Sequence, residues 1–307
     1  MWNCEADLRE MAQGLEPTAA QKSAASRSHN YLRDLLLTGQ FGNRVLDSYL
    51  SGSYSRDTAV NPIDDVDIVV VVDPDGWRRG LLQSRPGPAR VLESFAAAIR
   101  YRYRDSSVYV QRRSVRLKLY HLDIDVVPAL EVTSGRDRIE IPDIEIGEWI
   151  ASAPKAHTRI ATEINSAQGG RFKPLVKLLK YWNSQLPETA YLKSFAIETL
   201  SATLFRNANL PGLQEGLRLF FDFLAGRADQ AVLYRWSQSY GIQMSWWAHE
   251  LPDLAGTGSN LLARVDAERR AKFLQHAVRA RDALVLAEKA RTHDSAVRHI
   301  GSALRMI

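Results

Sequence analysis

The chain has 307 residues, 45% hydrophobic and 24% charged, the composition of an ordinary globular protein with core enough for one large domain or two lobes. One cysteine, Cys4, excludes a disulfide framework and any multi-cysteine zinc site, and no stretch approaches the apolar length needed to span a bilayer. The formal net charge of +5 suits polyanionic ligands, nucleotides or nucleic acid, without deciding between them. Glu5, Asp7, Arg9 and Glu10 leave no apolar signal segment, so a cytoplasmic protein without a membrane partner is expected.

Residues 17–37 read as a helix whose apolar stripe of Tyr31, Leu32, Leu35 and Leu36 stops before Gly39 and Gly42. Residues 45–50 form a short strand, and Gly52 permits a tight turn after it. Residues 67–72 form a second strand, apolar on both faces beyond its first residue and therefore central. Pro74, Gly76, Pro86, Gly87 and Pro88 mark a loop, and 90–103 carries Val91, Leu92, Phe95, Ala98 and Ile99 at helical spacing. Val115, Leu117 and Leu119 alternate with Arg116 and Lys118. Leu122, Ile124 and Val126 then alternate with Asp123 and Asp125, which predicts a hairpin about Tyr120 and His121. From Trp149–Ser152 the texture changes, and helices are predicted over 174–185, 193–207, 213–224 and from about 266 onward. The basic residues between Arg264 and Arg305 are interspersed with Asp266, Glu268, Asp282 and Glu288, the pattern of a solvated helix face.

The fold class is α+β, with a sheet-bearing catalytic lobe over 1–150, N-terminal helix included, and a helical lobe over 151–307. Ligand is expected in the cleft between the lobes.

The chemistry concentrates in Gly52-Ser53 followed by Asp65-Val66-Asp67. Asp65 and Asp67 are two apart, so on a strand both side chains share a face. Paired carboxylates repel and are costly to desolvate unless a cation lies between them; the hard divalent ion suited to such oxygens in a nucleotide site is Mg²⁺. Asp123 and Asp125 offer carboxylates from a separate strand, the arrangement required to clamp the attacking and leaving oxygens of a phosphoryl transfer with two ions.

This constellation, with Ile124-Asp125-Val126-Val127-Pro128, resembles the DNA polymerase β-like nucleotidyltransferase superfamily. Within it the likeness is to the bacterial cGAS/DncV-like nucleotidyltransferases (CD-NTases, or SMODS-domain proteins) and their animal relatives, cyclic GMP–AMP synthase and oligoadenylate synthetase. Phe172 to Trp182 resembles the family's spine helix, Tyr191 to Leu200 the helix after it, and Pro252 to Gly258 its late loop. The resemblance implies a polymerase β-like lobe with a mixed or antiparallel sheet followed by a helical lobe. It implies catalysis by Asp65, Asp67 and Asp125 holding two Mg²⁺ ions (or Mn²⁺), with Asp123 supporting them and Asp64 a loop-end residue. Gly52 and Ser53 would cradle the triphosphate, and Lys180, Lys177 and Ser194 would reach it.

Several of these residues have a plainer reading. A lysine on a helix is ordinarily solvated, although Lys177 and Lys180 lie amid Leu175, Val176, Leu178, Leu179 and Trp182. Ser194 is also a helix-start serine. Phe195 either stacks on a base or belongs to the core. Asn165 lies where family members select the base, and is equally a helix C-terminal asparagine before Gly169-Gly170. Tyr54, Trp246 and Trp247 could line a base pocket or simply pack.

By resemblance the chain joins nucleoside triphosphates (ATP, GTP, CTP or UTP) into a cyclic di- or trinucleotide messenger in bacterial anti-phage signalling. A separate effector protein would sense the product, a regulatory protein is a further partner, and nucleic acid is not required. The rival readings are an RNA-end nucleotidyltransferase of the CCA-adding or poly(A) kind, gripping RNA with the basic C-terminal stretch, and a non-catalytic nucleic-acid-binding module. No phosphate loop of the Gly-x-x-x-x-Gly-Lys type, His-Glu-x-x-His zinc motif or Gly-x-Ser-x-Gly elbow is present.

Overall fold

A computed structural model describes residues 2–39, 41, 44–75, 85–132, 137–226 and 250–306. The chain divides into two compact units, Pro17–Arg159 and Met1–Glu16 with Ile160–Ile307.

Among its described residues the first unit is built on a seven-stranded sheet. Its strands are β1 (Val45–Ser51), β2 (Asp65–Val72), β3 (Ser107–Val110), β4 (Val115–Lys118), β5 (Asp123–Glu131), β6 (Ile139–Asp143) and β7 (Glu148–Ser152). The lateral order is β1-β2-β5-β4-β3, with β6 pairing the far end of β5 and β7 pairing β6. β2 and β5 are parallel and the other pairs are antiparallel. The hairpin about Tyr120 and His121 forms as the alternation predicts, with Leu117 opposite Ile124.

Alternation decides which face does what. Val66, Ile68, Val70 and Val72 join Val115, Leu117, Ile124, Val126 and Leu130 in the main core. Against that face pack the helices Ala19–Thr38 and Pro88–Arg102, contributing Leu32, Leu36, Val91, Leu92, Phe95 and Ile99. The other face carries the odd positions of both central strands: the smaller apolar cluster of Val69, Val71, Ala129 and Ile139, and at the N-terminal ends of the strands the aspartates. Helix Ala19–Thr38 starts with a capping box, Thr18 accepting from the Gln21 N–H while the Gln21 side chain accepts from Thr18.

The second unit is helical: Glu5–Gly14, Phe172–Ser184, Ser194–Phe205, Leu213–Ala225, Ala267–Glu288 and His293–Leu304, together with the C-terminal part of Pro154–Ala167, which runs across the division at residue 159. Its core includes Trp182, edge-on to Phe221 and Phe273.

Two sequence expectations need correction. The change of texture at Trp149–Ser152 is strand β7 rather than the start of the helical part; its half-exposed residues mask the period-2 signal. Residues 1–16 group with the helical unit, because the Glu5 carboxylate caps the start of Leu213–Ala225, accepting from the N–H groups of Leu213 (2.6 Å) and Gln214 (3.3 Å), and the Cys4 N–H donates to Gln214 Oε1. The helical stretch expected from about 266 onward forms as two helices, separated before Thr292, whose hydroxyl accepts from the Ser295 N–H and starts the second.

Candidate active site

The register of β2 on β5 sets Asp65 beside Asp123 and Asp67 beside Asp125. Neighbouring strands lie about 4.8 Å apart, so four carboxylates crowd one end of one sheet face. On the other side of β5, β4 places Arg116 opposite Asp125 and Lys118 opposite Asp123. The Arg116 fork takes Asp125 bidentately, Nε donating to Oδ1 at 2.9 Å and Nη2 to Oδ2 at 2.6 Å. Its Nη1 reaches Asp123 Oδ2 at 3.3 Å, and Nη2 lies 3.6 Å from Asp65 Oδ2. Asp125 is 6% exposed, and the hydrogen bonds to it raise the Arg116 pKa.

Asp67 is the odd member. It pairs across β1 with Ser51, immediately before the single helical turn Gly52–Ser55. Gly52 has φ +68°, and a Cβ there would fall 1.8 Å from Asp67 Oδ2. Only glycine supplies both the left-handed backbone and the space. The turn is tied by the Thr58 N–H donating to the Ser53 carbonyl at 2.9 Å. Burial, followed by the like charges of Asp65 and Asp125, pushes the Asp67 carboxyl up to about 7; Arg56 and Arg116 oppose the rise without overcoming it.

The donor set fits a hard divalent cation. Asp65, Asp67 and Asp125 are the carboxylates that could hold it, and the raised pKa of Asp67 shows that Arg56 and Arg116 balance their charge only in part. The carboxylates do not form a closed cage: among the described residues, the one trio of metal-ligating groups with ligand atoms all within 4.8 Å of each other is a different one, Cys4, Asp7 and His293. Arg116 engages both oxygens of Asp125, so ligation by Asp125 means exchanging that guanidinium for the cation.

Arg116 and Arg56 were missing from the sequence expectations. A hairpin centred between residues 120 and 121 pairs 116 with 125 by register alone, so Arg116 was within reach of the pattern. Arg56, buried directly after the Gly52–Ser55 turn, has no such signal. Asp64 is exposed and contributes its carbonyl to the Asp123 N–H at 3.0 Å, as suits a loop end.

Of the other expected contacts, Lys180, Lys177, Ser194, Phe195 and Asn165 lie in the helical unit and Tyr54 in the sheet unit. Lys180, 5% exposed, is paired with the buried Glu198 at 3.1 Å. Lys177, 1% exposed, is paired with Glu16. Both charges are thus compensated within the unit. Ser194 is exposed at the first position of its helix, and Phe195 behind it is half-buried. Asn165 accepts the Lys173 N–H on its Oδ1 at 3.0 Å, and its carbonyl accepts from the Gly170 N–H at 2.7 Å, so it joins two helices. Tyr54 packs edge-on to His29, ring centroids 5.8 Å apart. Trp246 and Trp247 lie outside the described residues.

A central parallel strand pair carrying Asp-x-Asp beside a Gly-Ser turn defines a polymerase β-like nucleotidyltransferase fold. Residues 3–165, more than half of the chain, match the family model described as the Second Messenger Oligonucleotide or Dinucleotide Synthetase domain (SMODS), and the chain belongs to that family, the CD-NTases. Among curated relatives it is 36% identical over 199 residues to a cyclic AMP-AMP-AMP synthase of Acinetobacter, covering 61% of this chain and 54% of the relative. The chain therefore spans about half the length of that relative. Solved structures with the same fold include Escherichia coli CdnC with ATP (TM-score 0.74, 20% identity, 98% of this chain and 97% of that one). The CdnC complex with HORMA-deltaN gives a TM-score of 0.70 at 20% identity, over 97% and 95% of the two chains.

Proposed function

We propose that the chain is a nucleotidyltransferase that condenses nucleoside triphosphates into a cyclic di- or trinucleotide with release of pyrophosphate. The observation that carries this reading is the register of Asp65 and Asp67 on Asp123 and Asp125, with Gly52 pressed against the Asp67 carboxylate. Asp65, Asp67 and Asp125 would hold the divalent ions, two of Mg²⁺ or Mn²⁺. When bound, these supply charge neutralisation at the phosphates and a lowered pKa for the acceptor hydroxyl.

The chain's own residues orient the reactants. Gly52 and Ser53 present backbone N–H groups and a hydroxyl to the triphosphate. In each round an acceptor ribose oxygen bonds to the α-phosphorus as the bond to the bridging β-oxygen breaks; pyrophosphate departs and the hydroxyl proton passes to solvent. The last round uses a hydroxyl of the growing chain itself and closes the ring. Lys180, Lys177, Ser194, Phe195 and Asn165 are the further nucleotide contacts in this reading. Glu198 and Glu16 pair with the two lysines when no phosphate is present.

The likeness to a cyclic AMP-AMP-AMP synthase supports ATP as a substrate, with GTP, CTP and UTP as the alternatives. The CdnC complex with HORMA-deltaN supports a regulatory protein partner. A separate effector that senses the product, an anti-phage role and a cytoplasmic site of action complete the reading; among the described residues no helix is long and apolar enough to cross a membrane.

The test is to incubate the purified chain with Mg²⁺ and each labelled triphosphate, with and without a HORMA-domain protein. A phosphatase-resistant cyclic product that disappears with EDTA is the expected result. A labelled RNA extended at its end, with no cyclic product, would reassign the chain to RNA-end nucleotidyl transfer.

A further inference from the structure

The helical unit holds a second constellation, independent of the proposed nucleotidyl transfer. Cys4, Asp7 and His293 bring one sulfur, one carboxylate oxygen and one imidazole nitrogen within 4.8 Å of one another. Two of them come from the start of the chain and one from near its end, so no sequence spacing reveals the group. The seven histidines show no ligand spacing along the chain, yet the fold supplies it.

Each ligand sits on a fixed element. Cys4 precedes helix Glu5–Gly14, and its N–H donates to Gln214 Oε1 at 2.9 Å while its carbonyl accepts from the Leu8 N–H at 3.0 Å. Asp7 follows three residues on, and positions three apart share a helix face. His293 is the first residue of helix His293–Leu304. Its ring stands edge-on to Trp2, centroids 6.0 Å apart, and Trp2 is itself anchored through its indole N–H to the Ala290 carbonyl at 3.0 Å. His293 Nε2 lies 3.1 Å from Asp7 Oδ2. The cysteine is 0% exposed, whereas Asp7 and His293 are partly exposed, so a cation could enter from the solvent side and meet the sulfur at depth.

We infer that Cys4, Asp7 and His293 form a zinc site, with water completing a four-coordinate shell. Mixed sulfur, nitrogen and oxygen donors match zinc, whose bond lengths of about 2.0–2.3 Å put tetrahedral ligands roughly 3.5 Å apart. Binding releases the thiol proton to solvent, the proton on His293 Nε2 passes through water to Nδ1, and the Asp7–His293 hydrogen bond gives way to two bonds to the metal. The ion ties the first helix of the unit to its last one. Oxidation of Cys4 is blocked while the metal is bound.

Cys4 is the sole cysteine, so any sulfur signal reports on this position alone. Titration of the full chain with Co²⁺ is expected to give a near-ultraviolet sulfur-to-cobalt charge-transfer band that saturates at one equivalent and is erased by Zn²⁺. Cys4→Ser removes the band. His293→Gln, at a partly exposed side chain that the fold tolerates, weakens Zn²⁺ binding by more than the about 10–100-fold that losing an outer-shell partner costs. Zn²⁺ raises the melting midpoint of the wild type and leaves that of His293→Gln unmoved, while Mg²⁺-dependent synthesis persists in His293→Gln. Absence of the charge-transfer band, or a band and a Zn²⁺ affinity unchanged by His293→Gln, would overturn the site and leave an Asp–His pair beside an inert thiol.

Discussion

Two aspartates of the sheet unit meet opposite electrostatic fates. Asp143, at the end of β6 and 0% exposed, is gripped by two guanidinium groups. Arg112 Nε donates to its Oδ1 at 2.6 Å, and Arg113 Nε and Nη2 donate to its Oδ2 at 3.0 and 2.9 Å. Burial alone would raise its pKa, but the two arginines outweigh burial and hold the carboxyl down at about 2. Asp67 is desolvated as well, yet its close neighbours include Asp65 and Asp125, and its carboxyl rises to about 7. The Asp143 charge is compensated by the chain. Asp67 is compensated only in part, as expected of a carboxylate that a cation balances in the proposed function.

The contrast sharpens under substitution. Asp67→Asn is expected to lower nucleotide-joining activity by about 10²–10³-fold or more, the scale on which a transition-state electrostatic contact is lost. Its melting midpoint should stay level or rise, because repulsion is relieved. Asp143→Ala should do the reverse: activity per folded molecule survives, while stability falls by about 1.5–3 kcal/mol as the hydrogen bonds from Arg112 and Arg113 are lost. Urea denaturation beside a product assay separates the two.

Gly52→Ala probes the contact between turn and carboxylate. The left-handed backbone alone costs about 1–2 kcal/mol for an alanine, and the Cβ would also displace Asp67 Oδ2. Activity should fall nearly as far as in Asp67→Asn, with stability reduced as well. Kinetics and melting on the same preparation check both.

The smallest effect is in pH. Asp67 has a folded pKa raised above the ordinary value near 3.9. Its contribution to stability is present below that value and lost as pH rises through about 7. Without divalent cation, the wild type should therefore lose stability relative to Asp67→Asn between about pH 4 and about pH 7, the limits of that window. Mg²⁺ should restore more of it at the upper end, since only the ionised carboxylate binds. Asp143 runs in the opposite sense: its contribution is present above about 4 and lost as pH falls through about 2. Melting curves across pH, with Mg²⁺ and with EDTA, distinguish the two.

Much of the sheet was legible because its chemistry obeys local rules. The alternation through Val115–Lys118 and Asp123–Glu131 gave the hairpin, and the spacing of Asp65 and Asp67 gave a shared face. What stayed hidden depends on partners far along the chain. The strands Ile139–Asp143 and Glu148–Ser152 carry little apolar contrast on one face. The allegiance of residues 1–16 rests on Glu5 capping a helix more than two hundred residues away. The pairing of Lys180 with Glu198 and of Lys177 with Glu16 likewise follows from helix packing rather than from either residue's neighbours in sequence.

Anomalous diffraction from crystals soaked with Mn²⁺ and a non-hydrolysable ATP analogue tests the central claim most directly. The account predicts manganese peaks ligated by Asp65, Asp67 and Asp125, with the Arg116 guanidinium moved off Asp125. Peaks that ignore these residues, or Arg116 still locked on Asp125 beside a bound analogue, would contradict it.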